Sequence, residues 1–231
     1  MNFSWIEILG FAGGIIYTLF EILQLRAMWI VALITSTSYA VIFYNQGIYA
    51  QMGLQIYFVI MSFYGIWQWT LRRRNYKKSF EQRRLGSTVS ETVKESSVIY
   101  CIPTGKHIAL GAVILCLLTA ALYVFIVFFS KLFSQSQDPY PFWDALATAL
   151  SILGTYWLSK SYLYQWWLWI AADIIMTAIF SIQYIGGQNG MILSVILYVY
   201  YIISVFYGVV HWKKSGVRIW LPRKSDLLKN Y

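Results

Sequence analysis

Charge is what this sequence has least of. Only 12% of its 231 residues are Asp, Glu, Lys or Arg, about half the share of a soluble domain. Its two cysteines, Cys101 and Cys116, can form neither a disulfide framework nor a zinc cluster. Its two histidines, His107 and His211, fall at the edges of apolar runs. No His-Glu-x-x-His helix, Gly-x-Ser-x-Gly elbow or phosphate loop occurs. An enzyme is therefore not expected, nor a nucleotide-driven pump, and no cofactor or metal is called for. The N-terminus has no basic segment and carries Glu7 and Glu21, so a cleaved signal peptide is not expected either.

What the chain has is apolar surface: 59% hydrophobic and 19% aromatic residues. A spanning helix needs about 20 mainly apolar residues. Seven stretches qualify: Trp5–Gln24, Ala27–Gln46, Ile48–Trp69, His107–Ser130, Phe142–Lys160, Tyr164–Gln183 and Gly190–Trp212. Continuous runs such as Ile108–Phe129 lack the alternation of a transmembrane barrel. The expected class is an all-α membrane protein.

The bases supply a topology. Arg72, Arg73, Arg74, Lys77, Lys78, Arg83, Arg84, Lys94 and Lys106 lie between spans 3 and 4. Lys213, Lys214, Arg218, Arg223, Lys224 and Lys229 follow span 7, Arg26 joins spans 1 and 2, and Lys160 ends span 5. With an odd number of spans all of these share one side, and only Lys131 is left on the other. The positive-inside rule makes that side cytoplasmic. The N-terminus is then outside and the C-terminus inside.

The two ends of the chain resemble each other. Span 3 ends Tyr64-Gly65-Ile66-Trp67-Gln68-Trp69 and span 7 ends Tyr207-Gly208-Val209-Val210-His211-Trp212, each followed by bases, 143 residues apart. Trp29-Ile30 matches Trp169-Ile170 and Gly14 matches Gly154, both 140 apart. The expected organisation is a three-helix bundle (1–71), a basic cytoplasmic linker (72–106), a connecting helix (107–130), an external loop (131–141), a second three-helix bundle (142–212) and a basic tail (213–231). Three helices plus one connector give both bundles the same orientation, a parallel repeat of the kind transporters use. The linker lacks interleaved aromatics, so its bases are expected to meet water and anionic lipid and not nucleic acid.

Polar residues inside a bilayer are costly, which makes them candidates for function. Asp173 sits mid-way along span 6, with Trp169 and Thr177 one turn away on either side. An aromatic face beside a carboxylate suits an organic cation. Gln51 and Gln55 in span 3, Tyr198 and Tyr201 in span 7, and Thr37 within the Thr35–Tyr39 run of span 2 complete the candidate substrate-binding set. Glu21 is expected to pair with Arg26 or Lys160. Trp5, Trp29, Trp69, Trp143 and Trp212 lie near span ends and are expected to anchor the helices in the interfacial belt.

The run Pro141-Phe142-Trp143-Asp144, then Leu150-Ser151-Ile152, then Trp166-Trp167-Leu168-Trp169-Ile170, together with Tyr49-Ala50, Gln55 and Tyr64-Gly65, resembles the PnuC family of bacterial vitamin transporters. The resemblance implies a full-length SWEET-like fold, a homotrimer and a bacterial inner-membrane location. It also implies uptake of nicotinamide riboside by facilitated diffusion, with alternating access. Trp169 would stack on the cationic ring, Asp173 would balance its charge, and Gln55 and Tyr198 would bond its polar substituents. Family members that carry nicotinamide riboside tend to have Asn where this chain has Asp173. Thiamine, also a cationic aromatic vitamin, fits the same constellation.

Overall fold

Buried in a bilayer, a chain must satisfy its backbone polar groups within each segment, and apolar runs of this length do so as helices. The computed structural model describes residues 5–45, 49–86, 98–132, 139–187 and 191–219. Seven helices follow one another: α1 Trp5–Ile22, α2 Ala27–Asn45, α3 Tyr49–Gly86, α4 Gly105–Leu132, α5 Pro141–Ser159, α6 Gln165–Ile185 and α7 Ile192–Ser215. All seven expected spans are present. Pro141 opens α5, where its missing N–H costs nothing. Among the described residues α4, α6 and α7 are long and apolar enough to span a membrane by length and composition alone, and Phe11–Ile22 and Ala27–Val41 are shorter apolar helices.

Two expectations need correction. The segment taken as a linker begins as helix, because α3 continues through the Arg- and Lys-rich stretch to Gly86; straight-chain basic residues are good helix formers once outside the apolar layer. The fold is also not wholly helical. Strand β1, Val98–Tyr100, pairs in parallel with strand β2, Gly216–Arg218, which follows α7 directly. Residues 87–97 of the linker, 133–138 of the expected external loop and 220–231 of the tail lie outside the described residues.

Helix packing has a reciprocal form. α1 packs on α2 and α7, α3 packs on α2 and α5, α6 packs between α5 and α7, and α4 lies against α5. The first helix of each half thus meets the third helix of the other. A tryptophan secures each of these junctions. Trp212 of α7 donates its indole N–H to the carbonyl of Ile22, the last residue of α1, at 2.9 Å. Trp69 of α3 donates to the carbonyl of Leu158, next to the end of α5, at 3.1 Å. Helix ends leave carbonyls without intrahelical partners, and a buried indole supplies the missing donor. Each of these tryptophans is met edge-on by another: Trp29 with Trp69 at 5.4 Å and 78°, Trp166 with Trp212 at 5.4 Å and 80°. The second ring lies over a glycine of the third helix. A Cβ on Gly208 would come within 2.6 Å of the Trp166 ring, and one on Gly65 would overlap Trp29.

This geometry overturns the interfacial-belt expectation for three residues. Trp29, Trp69 and Trp212 are 1%, 5% and 0% exposed and form the centre of the core at the basic end. Trp143 is exposed, and the side chain of Trp5 lies outside the described residues.

The register of the repeat also changes. Gln24 and Ser161 are the described non-glycine residues with left-handed backbones, at φ 50° and 51°. Their N–H groups bond Glu21 and Leu158, and the N–H groups of the next residues, Leu25 and Tyr162, bond Phe20 and Trp157. In the preceding helices, Thr18 bonds the Gly14 carbonyl at 2.9 Å and Thr155 bonds that of Ser151 at 2.8 Å. These pairs are all 137 residues apart, not 140. The counterpart of Trp29 is accordingly Trp166, not Trp169, and the counterpart of Asp173 is Ser36.

The segment from Val98 to Cys101 ties the two turns together. The Gln24 side chain donates to the Ile99 carbonyl at 2.9 Å and accepts from the Ile99 N–H at 2.7 Å, acting as one more strand residue. On the other side, the Cys101 N–H bonds the Ser161 carbonyl and the Leu163 N–H bonds the Cys101 carbonyl, both at 2.9 Å. Val98, Ile99 and Cys101 are buried. Cys101 is therefore no ordinary loop thiol: Arg72 donates to its Sγ at 3.2 Å. Burial pushes that thiol up from its ordinary value, against the opposing pull of Arg72. Cys116 is exposed on α4.

Candidate binding site

Two chambers lie between the helices. The larger, about 650 Å³, is lined by α1, by the Val31–Tyr39 face of α2, by Phe58 and Ser62 of α3 and by Thr155 of α5. The smaller, about 170 Å³, is enclosed by α1, α6 and α7, with Ser151 of α5. Tyr17, Trp169 and Tyr201 line both and form the seam. Small-molecule sites commonly fall at roughly 300–1,000 Å³. The larger chamber has room for a nucleoside-sized solute, and the smaller for one ring.

Glycines let the seam residues reach their positions. The Trp169 ring lies on Gly154 of α5, where an added Cβ would come within 3.3 Å. The Tyr201 hydroxyl occupies the place of a side chain at Gly14 of α1. Tyr198 meets Tyr201 edge-on at 5.4 Å and Phe180 at 5.3 Å. These contacts fix an aromatic wall on α6 and α7.

Asp173 stands one turn from Trp169 in the smaller chamber. It is 4% exposed, and its carboxyl group has no hydrogen bond or ion pair among the described residues. Glu21 lines the same chamber and is equally buried. Its expected pairing with Arg26 or Lys160 is not found. The left-handed turn at Gln24 sends Arg26 outward to an exposed position, and the Lys160 ammonium sits over the Tyr64 ring at 4.9 Å and the Tyr156 ring at 5.8 Å. No Lys, Arg or His lines either chamber.

Of the candidate residues, Trp169, Asp173, Tyr198 and Tyr201 come together here. Thr177 donates its hydroxyl to the Asp173 backbone carbonyl at 2.6 Å and shapes the helix without lining a chamber. Thr37 is exposed and bonds the Leu33 carbonyl at 2.7 Å, so it faces outward. Thr35 and Ser38 also bond carbonyls of α2 but line the larger chamber with Ser36. Gln55 lines neither chamber. Gln51 belongs to α3, with its side chain outside the described residues. The sequence reading missed Tyr17, Ser62 and Thr155 as lining residues, and it gave Glu21 a different role. The Thr18/Thr155 correspondence at 137 residues was the available signal for one of them.

Comparison with known proteins follows the same lines. A family model described as "Nicotinamide mononucleotide transporter" matches residues 4–214. The chain is 25% identical over 227 residues to the "Nicotinamide riboside transporter PnuC" of Escherichia coli (strain K12), covering 95% of this chain and 86% of the relative. The protein of the same description from Shigella flexneri matches to the same extent. A solved structure described as "Crystal structure of the Vitamin B3 transporter PnuC" superimposes with a TM-score of 0.61 at 20% identity, covering 91% of this chain and 81% of that one. That last likeness is one of fold.

Proposed function

The chain belongs to the nicotinamide mononucleotide transporter family, and from that premise we propose that this multi-pass membrane protein carries nicotinamide riboside. The observation that carries the choice of solute is the charge of the site. A mononucleotide brings a phosphate group, which needs bases or helix N-termini to bind it. Both chambers lack bases, and the smaller holds two buried acids. A riboside brings only a cationic ring, which a tryptophan face and a carboxylate attract. The curated relatives, described as nicotinamide riboside transporters, support the same choice.

In this reading the pyridinium ring stacks on Trp169 beside Asp173. The ribose lies in the larger chamber among Thr35, Ser36, Ser38, Tyr39 and Ser62. Tyr17, Tyr198 and Tyr201 supply hydroxyls at the seam. Gln55 and Gln51 act, if at all, in another state of the cycle. Transport is passive: α1–α3 and α5–α7 form two parallel SWEET-like bundles joined by α4, and they rock about the site. The Val98–Cys101 segment and the two tryptophan junctions close the basic end here, so opening that end means parting them. The protein functions as a lipid-embedded homotrimer of the bacterial inner membrane, N-terminus outside and C-terminus in the cytoplasm. It acts as a transporter and not as an enzyme.

Counterflow in proteoliposomes tests the proposal. Purified protein, with no ATP and no partner, is expected to exchange labelled nicotinamide riboside and return it chemically intact. Exchange of thiamine alone would assign the same site to the other cationic vitamin, which the two acids also suit. Exchange of neither would point to a receptor or a transporter subunit.

A further inference from the structure

Three polar atoms at the basic end of the smaller chamber are buried without a partner: Oε1 of Glu21 and both amide atoms of Gln165. Glu21 is the penultimate residue of α1 and Gln165 the first of α6. Gln165 is fully buried and approaches Glu21 without closing a hydrogen bond to it. Gln165, Trp169 and Asp173 are spaced four residues apart and share one stripe of α6. A ring held on Trp169 therefore has Asp173 on one side and the Glu21–Gln165 pair on the other.

Buried polar groups are nearly always hydrogen-bonded, and an exception calls for a reason. Glu21 offers an acceptor, and Gln165 offers both a donor and an acceptor. The complement is a small planar group that donates and accepts at once. A primary carboxamide does so: its N–H groups face Glu21 and the Gln165 carbonyl, and its oxygen takes the Gln165 N–H. The chamber is large enough for one ring and such a substituent.

We propose that Glu21 and Gln165 form a specificity subsite that reads the ring substituent of the solute and selects a carboxamide over a carboxylate. The proposal rests on the riboside reading above. A carboxylate at this place sets an acceptor oxygen against Glu21 Oε1 where the carboxamide sets a donor. A site built to bond an N–H rejects an analogue lacking it far more strongly than an apolar pocket could. Glu21 acts as a selector and Asp173 as the counter-charge, two roles that different substitutions separate.

The test is counterflow with nicotinamide riboside and with nicotinic acid riboside, which differ only in that substituent. Wild-type protein is expected to prefer the amide by at least about tenfold. Glu21→Gln, which can donate to a carboxylate, should lower that preference at least about tenfold while retaining exchange of the amide. Gln165→Leu should weaken the amide without improving the acid, and checks the subsite even if Glu21→Gln does not fold. Asp173→Asn should weaken both ribosides and leave their ratio in place. A wild-type protein that exchanges the amide with no preference over the acid overturns the subsite. So does an unchanged ratio in Glu21→Gln and an unaltered amide affinity in Gln165→Leu. A wild-type protein that exchanges neither riboside overturns the riboside reading, and the subsite with it.

Discussion

Replacing Trp212 with phenylalanine removes the donor that completes the end of α1. Three losses follow. The indole hydrogen bond to the Ile22 carbonyl, 2.9 Å long and fully buried, disappears; interhelical hydrogen bonds in membrane proteins contribute about 0.6 kcal/mol on average and up to about 1.7 kcal/mol. The edge contact with Trp166 weakens, and such aromatic pairs contribute about 0.5–1.5 kcal/mol. The missing half of the indole leaves a small void, which adds roughly 1 kcal/mol. Together the change should destabilise the fold by about 2–4 kcal/mol. Denaturation of the purified protein in mixed micelles, followed by tryptophan fluorescence or circular dichroism, reads this as a lower midpoint. Trp69→Phe should cost a similar amount, because it breaks the matching bond to Leu158. The double variant reports whether the two junctions act separately. A loss below about 0.5 kcal/mol in both single variants would refute the idea that these tryptophans join the halves of the molecule.

Gly208→Leu should be more damaging than Gly53→Leu, since a Cβ at Gly208 meets the Trp166 ring at 2.6 Å while one at Gly53 meets nothing; comparing their yields of folded protein in detergent checks this. Gln24→Leu removes both side-chain bonds to Ile99, so the Ile99 amide should exchange with deuterium faster, whereas the Cys101 amide keeps its bond to Ser161. In a Cys116→Ala background Cys101 should react slowly with a water-soluble maleimide at neutral pH. Burial raises its pKa, so the reactive thiolate, and with it the rate, should keep rising with pH beyond the range in which an ordinary thiol is already ionised. Rapid labelling at neutral pH would contradict that.

The seven spans were legible because apolar runs and the positions of lysine and arginine carry independent information. Each connection between spans had to agree with the other connections about its side of the membrane. Burial of the tryptophans was not legible from hydropathy, which cannot distinguish a ring facing lipid from a ring facing a glycine. Gly65 and Gly208, four residues before Trp69 and Trp212, were the available clue. The repeat was read three residues out of register because Trp166 and Trp169 both offer a match to Trp29, and identity alone selected the wrong one. Matching turn geometry at Gln24 and Ser161 resolves the choice. Val98-Ile99-Tyr100, a β-prone run at the end of a polar segment, marked the strand but needs β2 and Gln24 from distant parts of the chain to form it. At the site, Asp173 and Trp169 stood out because a charge inside a span has few ordinary explanations. Glu21 did not, because nearby bases in sequence offered a pairing that the turn at Gln24 prevents.

The central claim is that the seam at Trp169 binds a cationic vitamin during passage through this chain alone. Uptake of labelled nicotinamide riboside into proteoliposomes, measured side by side for wild-type protein and Trp169→Ala, tests it most directly. The wild type should equilibrate the solute across the bilayer without an energy source, and Trp169→Ala should do so at least about tenfold more slowly. No uptake by the wild type, or equal uptake by the two proteins, would contradict the account.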